Sequence, residues 1–216
     1  MRGKKVQKTI IWDWNGTLLN DAGLALFAIN AMLRKRNLPQ LTLAQYKQIF
    51  NFPVKGYYVS LGFDFEKESW DEVAHEFIAL YYQNLNNYGL QPNTKEVLQY
   101  FQIQNYSQVI VSASEQEVLL KAVEGYKIRK YFSHIVGIDN HYADSKLINA
   151  QNMMKNLKLK PENVWLVGDT LHDSEVAEDL GCQCVLVSQG HQSRERLRLS
   201  KAIVVENIEN VISIIE

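Results

Sequence analysis

The chain has 216 residues, of which 46% are hydrophobic and 22% charged, so it can bury a sizeable core in one domain or in a domain with an insertion. Its formal net charge of −1 gives no basic surface for nucleic acid or for an anionic membrane, so we expect neither as a partner. No segment approaches the ~20 apolar residues that span a bilayer. The apolar stretch after the basic N-terminus (Arg2, Lys4 and Lys5) is too short for a signal sequence. Cys182 and Cys184 are too close in sequence for a disulfide, which favours buried free thiols and a cytoplasmic location.

The first candidate site follows the first predicted strand. The β-branched and apolar run at residues 10–12 predicts a buried strand, and it ends abruptly at Asp13-Trp14-Asn15-Gly16-Thr17. An acid at this point lies where open α/β sheets bind their ligands, beyond the carboxyl ends of the strands. A strand followed by an ordinary turn explains this stretch equally well on its own, so the interpretation depends on partners later in the chain.

Two regions differ in their hydrophobic pattern. Residues 20–90 have helical spacing and no strand candidate, with predicted helices at 22–36, 43–50 and 69–88 and an aromatic break around Pro53 at 50–58. The rest of the chain alternates between the two kinds of element. The predicted strands are 108–112, 134–138, 163–167, 183–187 and 202–205, and the predicted helices are 94–103, 115–124, 146–157, 174–180 and 208–215. Ser114 and Glu117 predict a capping box at the start of the second of these helices.

Strands that alternate with helices pair in parallel through right-handed crossovers. We therefore predict an α/β fold with a Rossmann-like parallel sheet, helices on both faces and a helical cap inserted after the first strand. The predicted domains are an α/β catalytic core at residues 1–18 and 91–216 and a helical cap domain at 19–90. Because the insertion leaves from the edge of the sheet that carries Asp13, it is placed to act as a lid.

Polar residues follow several predicted strands, and in a parallel sheet these positions lie along one edge. They are Asp13, Ser112, the region near Lys146, and the stretch from Asp169 to Asp173. Two carboxylates about 4 Å apart repel by a few kcal/mol at an effective dielectric constant near 20, and a divalent cation reverses that repulsion. Carboxylates are ligands that Mg²⁺ accepts together with substrate oxygens. The pattern therefore predicts a Mg²⁺ site beside a phosphoryl pocket.

These motifs, taken in order, resemble those of the haloacid dehalogenase-like hydrolase superfamily. The matching residues are Asp13-x-Asn15-Gly16-Thr17, Ser112, Lys146 and Gly168-Asp169-x-x-x-Asp173. The helical insertion resembles the cap that the phosphoglycolate phosphatase and β-phosphoglucomutase branches carry between their first and second motifs. The resemblance spans nearly the whole chain and implies a Mg²⁺-dependent phosphatase that acts on a small phosphorylated metabolite. A dehalogenase needs no metal, and a receiver-type signalling domain would lack the cap.

The resemblance implies a role for each matched residue. Asp13 would be the nucleophile and a Mg²⁺ ligand, and Asn15 would offer its backbone carbonyl to the ion. Asp169 would bind Mg²⁺ directly. Asp173 would bind it directly or through water, unless it is only a charge that favours the start of a helix. Lys146 would neutralise Asp13 and the phosphoryl group.

Three further residues are implied to bind the substrate. Ser112 would hydrogen-bond the phosphoryl oxygens beside Ala113, and Thr17 would support the loop that carries the nucleophile. Lys155 and Lys158 are poorer alternatives to Lys146 as the lysine of the third motif.

Asn15 departs from the family pattern, because the family's phosphatases usually carry an aspartate there as general acid and base. An amide has no proton to exchange in this range, and general acid–base catalysis is typically worth about 10²–10⁴-fold. One alternative is a leaving group that needs little protonation, as in an acyl phosphate, and another is that His172 supplies the proton. The third alternative is a phospho-ligand-binding or regulatory protein with little turnover.

The cap offers candidates for reading the substrate. Asn51, Lys55, Tyr57 and Tyr58 flank Pro53, and one or two of them are expected to reach over the site. Lys55 would suit a carboxylate or a second phosphate. The alternative is that the aromatic residues form the core of the cap and that Lys55 is solvated.

Overall fold

The computed structural model describes residues 7–138 and 145–216. The strands are β1 (Thr9–Trp12), β2 (Ser107–Glu115), β3 (His134–Ile138), β4 (Val164–Gly168), β5 (Gln183–Val187) and β6 (Ile203–Val205). They form one parallel sheet in the order β3-β2-β1-β4-β5-β6. The predicted α/β fold class is therefore confirmed. The basic residues Arg2, Lys4 and Lys5 lie outside the described residues.

Helices cover both faces of the sheet and form the cap. The cap contains α1 (Ala22–Lys35), α2 (Leu43–Ile49), α3 (Val54–Ser60) and α4 (Trp70–Asn84). The remaining helices are α5 (Thr94–Ile103), α6 (Gln116–Gly125), α7 (Ser145–Asn156), α8 (Leu171–Leu180), α9 (Arg194–Leu197) and α10 (Ile212–Ile215). Short 3-10 helices lie at Leu85–Asn87, Arg129–Tyr131, Pro161–Asn163 and Ile208–Val211.

Strand β1 lies at the centre of the sheet, and its side chains alternate between two hydrophobic clusters. Trp12 packs in one cluster with Phe101 of α5, and Ile11 packs in the other with Met153 of α7. The strand pairs in parallel with both β2 and β4. The carboxyl ends of these three strands therefore face the same edge, and the backbone N–H of Asp13 extends the ladder by donating to Val167 over 2.9 Å.

The cap has a hydrophobic core of its own. Buried side chains from all four cap helices pack together and include Ile29, Met32, Tyr46, Tyr58 and Val73. Arg36 follows α1, and its guanidinium donates to Glu68 over 2.6 Å and to Glu76 of α4 over 2.7 Å. The cap thus combines aromatic and aliphatic packing with a charged clamp.

Three local predictions differ from the structure. Residues 54–60 form helix α3, not a break, because Pro53 precedes the first turn, where its missing N–H costs nothing. Strand β2 continues through Glu115, so the predicted capping box is wrong and the hydroxyl of Ser114 bonds to Asn15 instead. Helix α8 begins at Leu171, so Asp173 lies inside its first turn.

The structure bears on two expectations from composition, one about membrane-spanning helices and one about the cysteines. Among the described residues, no helix combines the length and the apolar character needed to cross a bilayer. Cys182 and Cys184 are free, as expected, but each is only partly buried.

Candidate active site

The carboxylates of Asp13, Asp169 and Asp173 meet beyond the carboxyl ends of β1 and β4. All three residues are buried, and one oxygen from each lies within 4.8 Å of the others. Asp13 and Asp169 directly follow their strands, and Asp173 reaches back from the first turn of α8. The backbone N–H and the hydroxyl of Thr170 hold Asp173 by donating to its Oδ2 over 3.0 and 2.7 Å. The topology thus assembles three acids that are distant in sequence.

Lys146, in the first turn of α7, brings a positive charge to this cluster. Its Nζ donates a hydrogen bond to Asp13 and another, over 2.6 Å, to Asp173. Burial would lower the pKa of the ammonium group, but the two carboxylates raise that pKa above its ordinary value. Burial raises the pKa of Asp13 and Asp169, and neighbouring carboxylates add to this effect. Burial acts on Asp173 too, but contact with Lys146 keeps the pKa of Asp173 below its ordinary value.

Asp169 is held by groups from two other loops. The hydroxyl oxygen of Thr17 lies 2.9 Å from its Oδ1, and the backbone N–H of His191 donates to its Oδ2 over 2.6 Å. Gly16 and Gly190 pack against the same carboxylate, and a Cβ at either position would collide with it. Gly16 also has a φ of +74°, which favours glycine. Both glycines are therefore needed for this close approach of backbone to carboxylate.

Asn15 is held by three side chains. Its Nδ2 donates to Asp21 over 2.8 Å and to the hydroxyl of Tyr81 over 3.0 Å, and its Oδ1 accepts from Ser114 over 2.7 Å. The backbone N–H of Gly16 also donates to Asp21, over 2.6 Å. The amide of Asn15 is thus fixed between the cap and the carboxyl end of β2.

Asp21 and His191 form a buried pair that the sequence analysis did not identify. Nε2 of His191 lies 3.3 Å from Oδ1 of Asp21, and its Nδ1 lies 2.7 Å from the hydroxyl oxygen of Tyr46 in the cap. Burial would lower the pKa of His191, but the neighbouring carboxylates, above all Asp21, raise it to about 9. Burial would likewise raise the pKa of Asp21, but His191 holds that pKa below its ordinary value. The two groups therefore stabilise each other's charged forms.

The sequence does carry a signal for His191. The polar stretch from Ser188 to His191 follows the apolar strand β5 in the same way that Asp169 follows β4. Polar residues directly after parallel strands lie at one edge of the sheet, and the same argument applied to β5 predicts that His191 lies at the site.

Helix α2 is joined to the segment after β5 by several hydrogen bonds. Nζ of Lys47 donates to the carbonyl of Gln189 over 2.8 Å, and the backbone N–H of Ser193 donates to the carbonyl of Lys47 over 3.0 Å. Arg196 adds a hydrogen bond to the carbonyl of Gln48 over 2.8 Å. These contacts connect the cap directly to the core on one side of the site.

A cavity of about 330 Å³ lies between the carboxylates and the cap. The core side includes Asp13, Asn15, Ala113, Lys146, Asp169 and Asp173. The cap side is mostly aromatic and includes Phe50, Phe52, Tyr57, Tyr58, Phe77 and Tyr81. The cavity has the size of a small-molecule site, and its reactive groups lie at one end.

The sequence profile described as haloacid dehalogenase-like hydrolase matches residues 10–187. This chain belongs to that hydrolase family. It is 22% identical to a phosphoglycolate phosphatase from Aliivibrio fischeri, over 93% of this chain and 92% of the relative. Solved structures with the same fold include a predicted phosphoglycolate phosphatase from Haemophilus somnus (TM-score 0.76, 22% identity, 99% and 100% coverage) and a hydrolase from Pseudomonas syringae (0.74, 18%, 97% and 100%). The family resemblance predicted from the four motifs is confirmed.

The structure places the predicted residues of this haloacid dehalogenase-like hydrolase in three groups. Asp13, Asn15, Lys146, Asp169 and Asp173 line the cavity together. Among the core residues predicted to bind substrate, Ala113 lines the cavity, whereas Thr17 and Ser112 do not belong to its wall. The hydroxyl of Ser112 accepts a hydrogen bond from the backbone N–H of Ser114 over 3.0 Å.

The predicted cap residues divide between the cavity and the surface. Tyr57 and Tyr58 line the cavity, whereas Asn51 and Lys55 are exposed and lie outside its wall. Nζ of Lys55 lies 5.4 Å from the ring centroid of Phe65. This placement gives no support to Asn51 and Lys55 as substrate-reading residues, because side chains outside the wall do not meet a ligand inside it.

His172 also lines the cavity. Its ring centroid lies 5.0 Å from that of Phe52, and its Nδ1 lies 3.4 Å from a carboxylate oxygen of Glu175. The side chain is partly exposed, so it has access to both the cavity and water.

The three carboxylates fit a hard divalent cation. They offer only oxygen ligands, are close together and buried, and have one ammonium group in contact with two of them. Burial and mutual repulsion raise the pKa of Asp13 and Asp169, which is the electrostatic signature of a site that lacks positive charge. Mg²⁺ binds one or two carboxylates and keeps other positions for water and substrate oxygens. The residues present therefore suit this ion.

Proposed function

We propose that this chain is a Mg²⁺-dependent phosphatase that hydrolyses a small phosphorylated metabolite through an aspartyl-phosphate at Asp13. The observation that carries the proposal is the convergence of Asp13, Asp169 and Asp173 with Lys146 at one end of a cavity of about 330 Å³. The names of the curated relatives, which are phosphoglycolate phosphatases, support phosphate ester hydrolysis as the reaction. The two free cysteines support a cytoplasmic location.

In the proposed reaction, a carboxylate oxygen of Asp13 attacks phosphorus and the bond from phosphorus to the ester oxygen breaks. The alcohol leaves with a proton, and water then hydrolyses the aspartyl-phosphate to release inorganic phosphate and restore Asp13. Lys146 orients Asp13 and offsets its charge, and Thr17 supports Asp13 and Asp169 together. Mg²⁺ held by Asp13, Asp169, Asp173 and the backbone carbonyl of Asn15 would offset the charge of the phosphoryl oxygens.

The proton on the leaving group needs a source other than Asn15, because an amide does not titrate in the working range. There are two ways to meet this requirement. The substrate can have a leaving group that requires little protonation, such as that of an acyl phosphate, or His172, which lines the cavity beside Asp173, can donate the proton. Ser112 and Ala113 at the end of β2 complete the proposed phosphoryl pocket.

We also propose that residues 1–18 and 91–216 form the catalytic core and that residues 19–90 form the cap domain. The separate hydrophobic core of helices α1–α4 supports this division. The hydrogen bonds from α2 to the segment after β5 support a cap that closes over the site.

The test is steady-state release of inorganic phosphate from a panel of phosphorylated metabolites with Mg²⁺, with Asp13→Asn as the blank. We expect turnover by the wild type, none by the variant, and a phosphoryl adduct on Asp13 in rapidly quenched samples analysed by mass spectrometry. Binding of phosphorylated ligands without turnover would instead identify a ligand-binding or regulatory protein.

A further inference from the structure

The cavity has two chemically different ends. Its core end carries the acids and Lys146, whereas the cap end consists of aromatic and aliphatic side chains from helices α1–α4 and from the loop between α2 and α3. The aromatic rings pack against each other, with ring centroids of Tyr57 at 5.3 Å from Phe50 and 5.8 Å from Tyr58. Such clusters are rigid and offer a large apolar contact area.

Among the described residues, helices α1–α4 contribute no lysine, arginine, aspartate or glutamate to the cavity wall. Lys55 is exposed, and Lys47 donates to backbone carbonyls of the core. A carboxylate or a second phosphate on the organic part of the substrate would therefore lose water without gaining a charged partner from the cap. The cationic groups that line the cavity from the core, Lys146 and His191, already contact carboxylates of the protein. Burial of an unpaired anion is strongly unfavourable.

We propose that the substrate is a phosphate monoester whose organic part is uncharged and largely apolar. This inference rests on the proposed phosphatase activity and narrows its substrate class. A dry cavity of ~150 Å³ accommodates benzene, so the 330 Å³ available here accommodates a phosphoryl group and an aromatic ring or a branched chain. Phosphoglycolate, whose organic part is a carboxylate, does not match this wall.

The test compares benzyl phosphate with 4-carboxybenzyl phosphate, two primary alkyl esters that differ by one carboxylate, and includes 2-phosphoglycolate. We expect kcat/KM for benzyl phosphate to exceed that for each of the two carboxylated esters by about 100-fold or more, because an unpaired carboxylate must be desolvated. Equal or higher kcat/KM for either carboxylated ester would overturn the inference and leave the phosphatase proposal intact. Release of phosphate from no ester in this set or in the metabolite panel would overturn the proposed function and this inference with it.

Two variants of helix α3 test whether the cap wall causes the preference for the uncharged ester. Val54 lines the cavity, whereas Val59 is 55% exposed on the same helix and lies outside the wall. Val54→Lys should reduce the preference for benzyl phosphate over 4-carboxybenzyl phosphate at least tenfold, and Val59→Lys should leave it unchanged. An unchanged preference in folded Val54→Lys would contradict the assignment of the organic part to this wall.

Discussion

Asn15 donates a hydrogen bond to Asp21, with Nδ2 of Asn15 at 2.8 Å from Oδ2 of Asp21. The asparagine therefore stands beside a buried carboxylate whose pKa is held below its ordinary value: burial alone would raise it, but His191 and other hydrogen-bonding partners more than offset that effect. An aspartate at position 15 would face that negative charge, which favours its protonated form. The neighbourhood of Asn15 is thus suited to a general acid even though the residue itself is not one.

The substitution Asn15→Asp should raise phosphatase activity tenfold or more, because it restores a group that can donate and accept a proton. The measurement is kcat for phosphate release at saturating substrate and Mg²⁺. Mass spectrometry of the wild-type protein should accompany it, because an Asn-Gly pair is prone to deamidation and would create the same aspartate.

Asn15→Ala is the matched control, since it removes the amide without adding an acid and should not raise activity. Unchanged activity in Asn15→Asp would place the acid elsewhere. In that case, loss of the residual activity in His172→Ala would identify His172 as its source.

Mg²⁺ should stabilise the wild-type fold, because an ion that binds only the native state adds about 2.7 kcal/mol at 100 times its Kd. For a protein of this length the corresponding rise in Tm is about 5–10 °C. Asp169→Asn should remove most of this rise in a thermal denaturation experiment with and without EDTA. The control is Asp179→Asn on the exposed side of α8, which should keep the full effect. An equal Mg²⁺ effect in both variants would rule out Asp169 as a ligand.

Lys146→Met should destabilise the protein by about 3–5 kcal/mol when Mg²⁺ is absent, because it leaves buried carboxylates without their partner. Mg²⁺ should restore part of the lost stability by supplying positive charge to the same carboxylates. Urea denaturation in EDTA and in Mg²⁺ measures both quantities. Lys155→Met, an exposed position on the same helix, is the control and should change the free energy of unfolding little. The prediction fails if the two variants have equal stability in EDTA.

The clamp between Arg36 and Glu76 should make the stability of the cap depend on pH. Burial would raise the pKa of Glu76, but hydrogen bonds from Arg36 and Lys35 hold it below its ordinary value of 4.5. The carboxylate is therefore more acidic in the folded than in the unfolded chain, so its contribution is complete above about pH 4.5 and is lost as pH falls through the lower folded value.

Glu76→Gln should accordingly cost about 1 kcal/mol near neutral pH and progressively less below pH 4.5. Chemical denaturation across this range measures the difference from wild type. Glu117→Gln is the control, because its contact with Lys121 is 3.9 Å long and both side chains are largely exposed. A constant difference between wild type and Glu76→Gln across this range would contradict the assignment.

Local sequence pattern was sufficient for the parallel sheet and for the position of the acids. The apolar run before Asp13 and the one before Asp169 each predict a strand that ends at a polar residue, and parallel pairing then brings the two acids to one edge. The long helix of the cap was equally readable, because its apolar face repeats at helical spacing over several turns. These features depend on residues that are neighbours in sequence.

The hydrogen-bond partners of Asn15 could not be predicted from local sequence pattern. Tyr81 and Ser114 contact it from 66 and 99 residues away, through hydroxyl groups that no local pattern distinguishes from others. Helix α3 is not predicted from the sequence for another reason. A proline followed by a glycine and aromatic residues is typical of a break between helices, and only tertiary packing stabilises a helix there.

The segment after β5 serves two elements of the molecule at once. The backbone N–H of His191 holds Asp169, while neighbouring residues of the same segment bond to Lys47 and Gln48 in α2. A rotation of α2 that opened the cavity would displace the segment after β5, whose backbone holds the carboxylate of Asp169. For an ion bound at Asp169 as proposed, we therefore expect weaker binding when α2 moves away from the core.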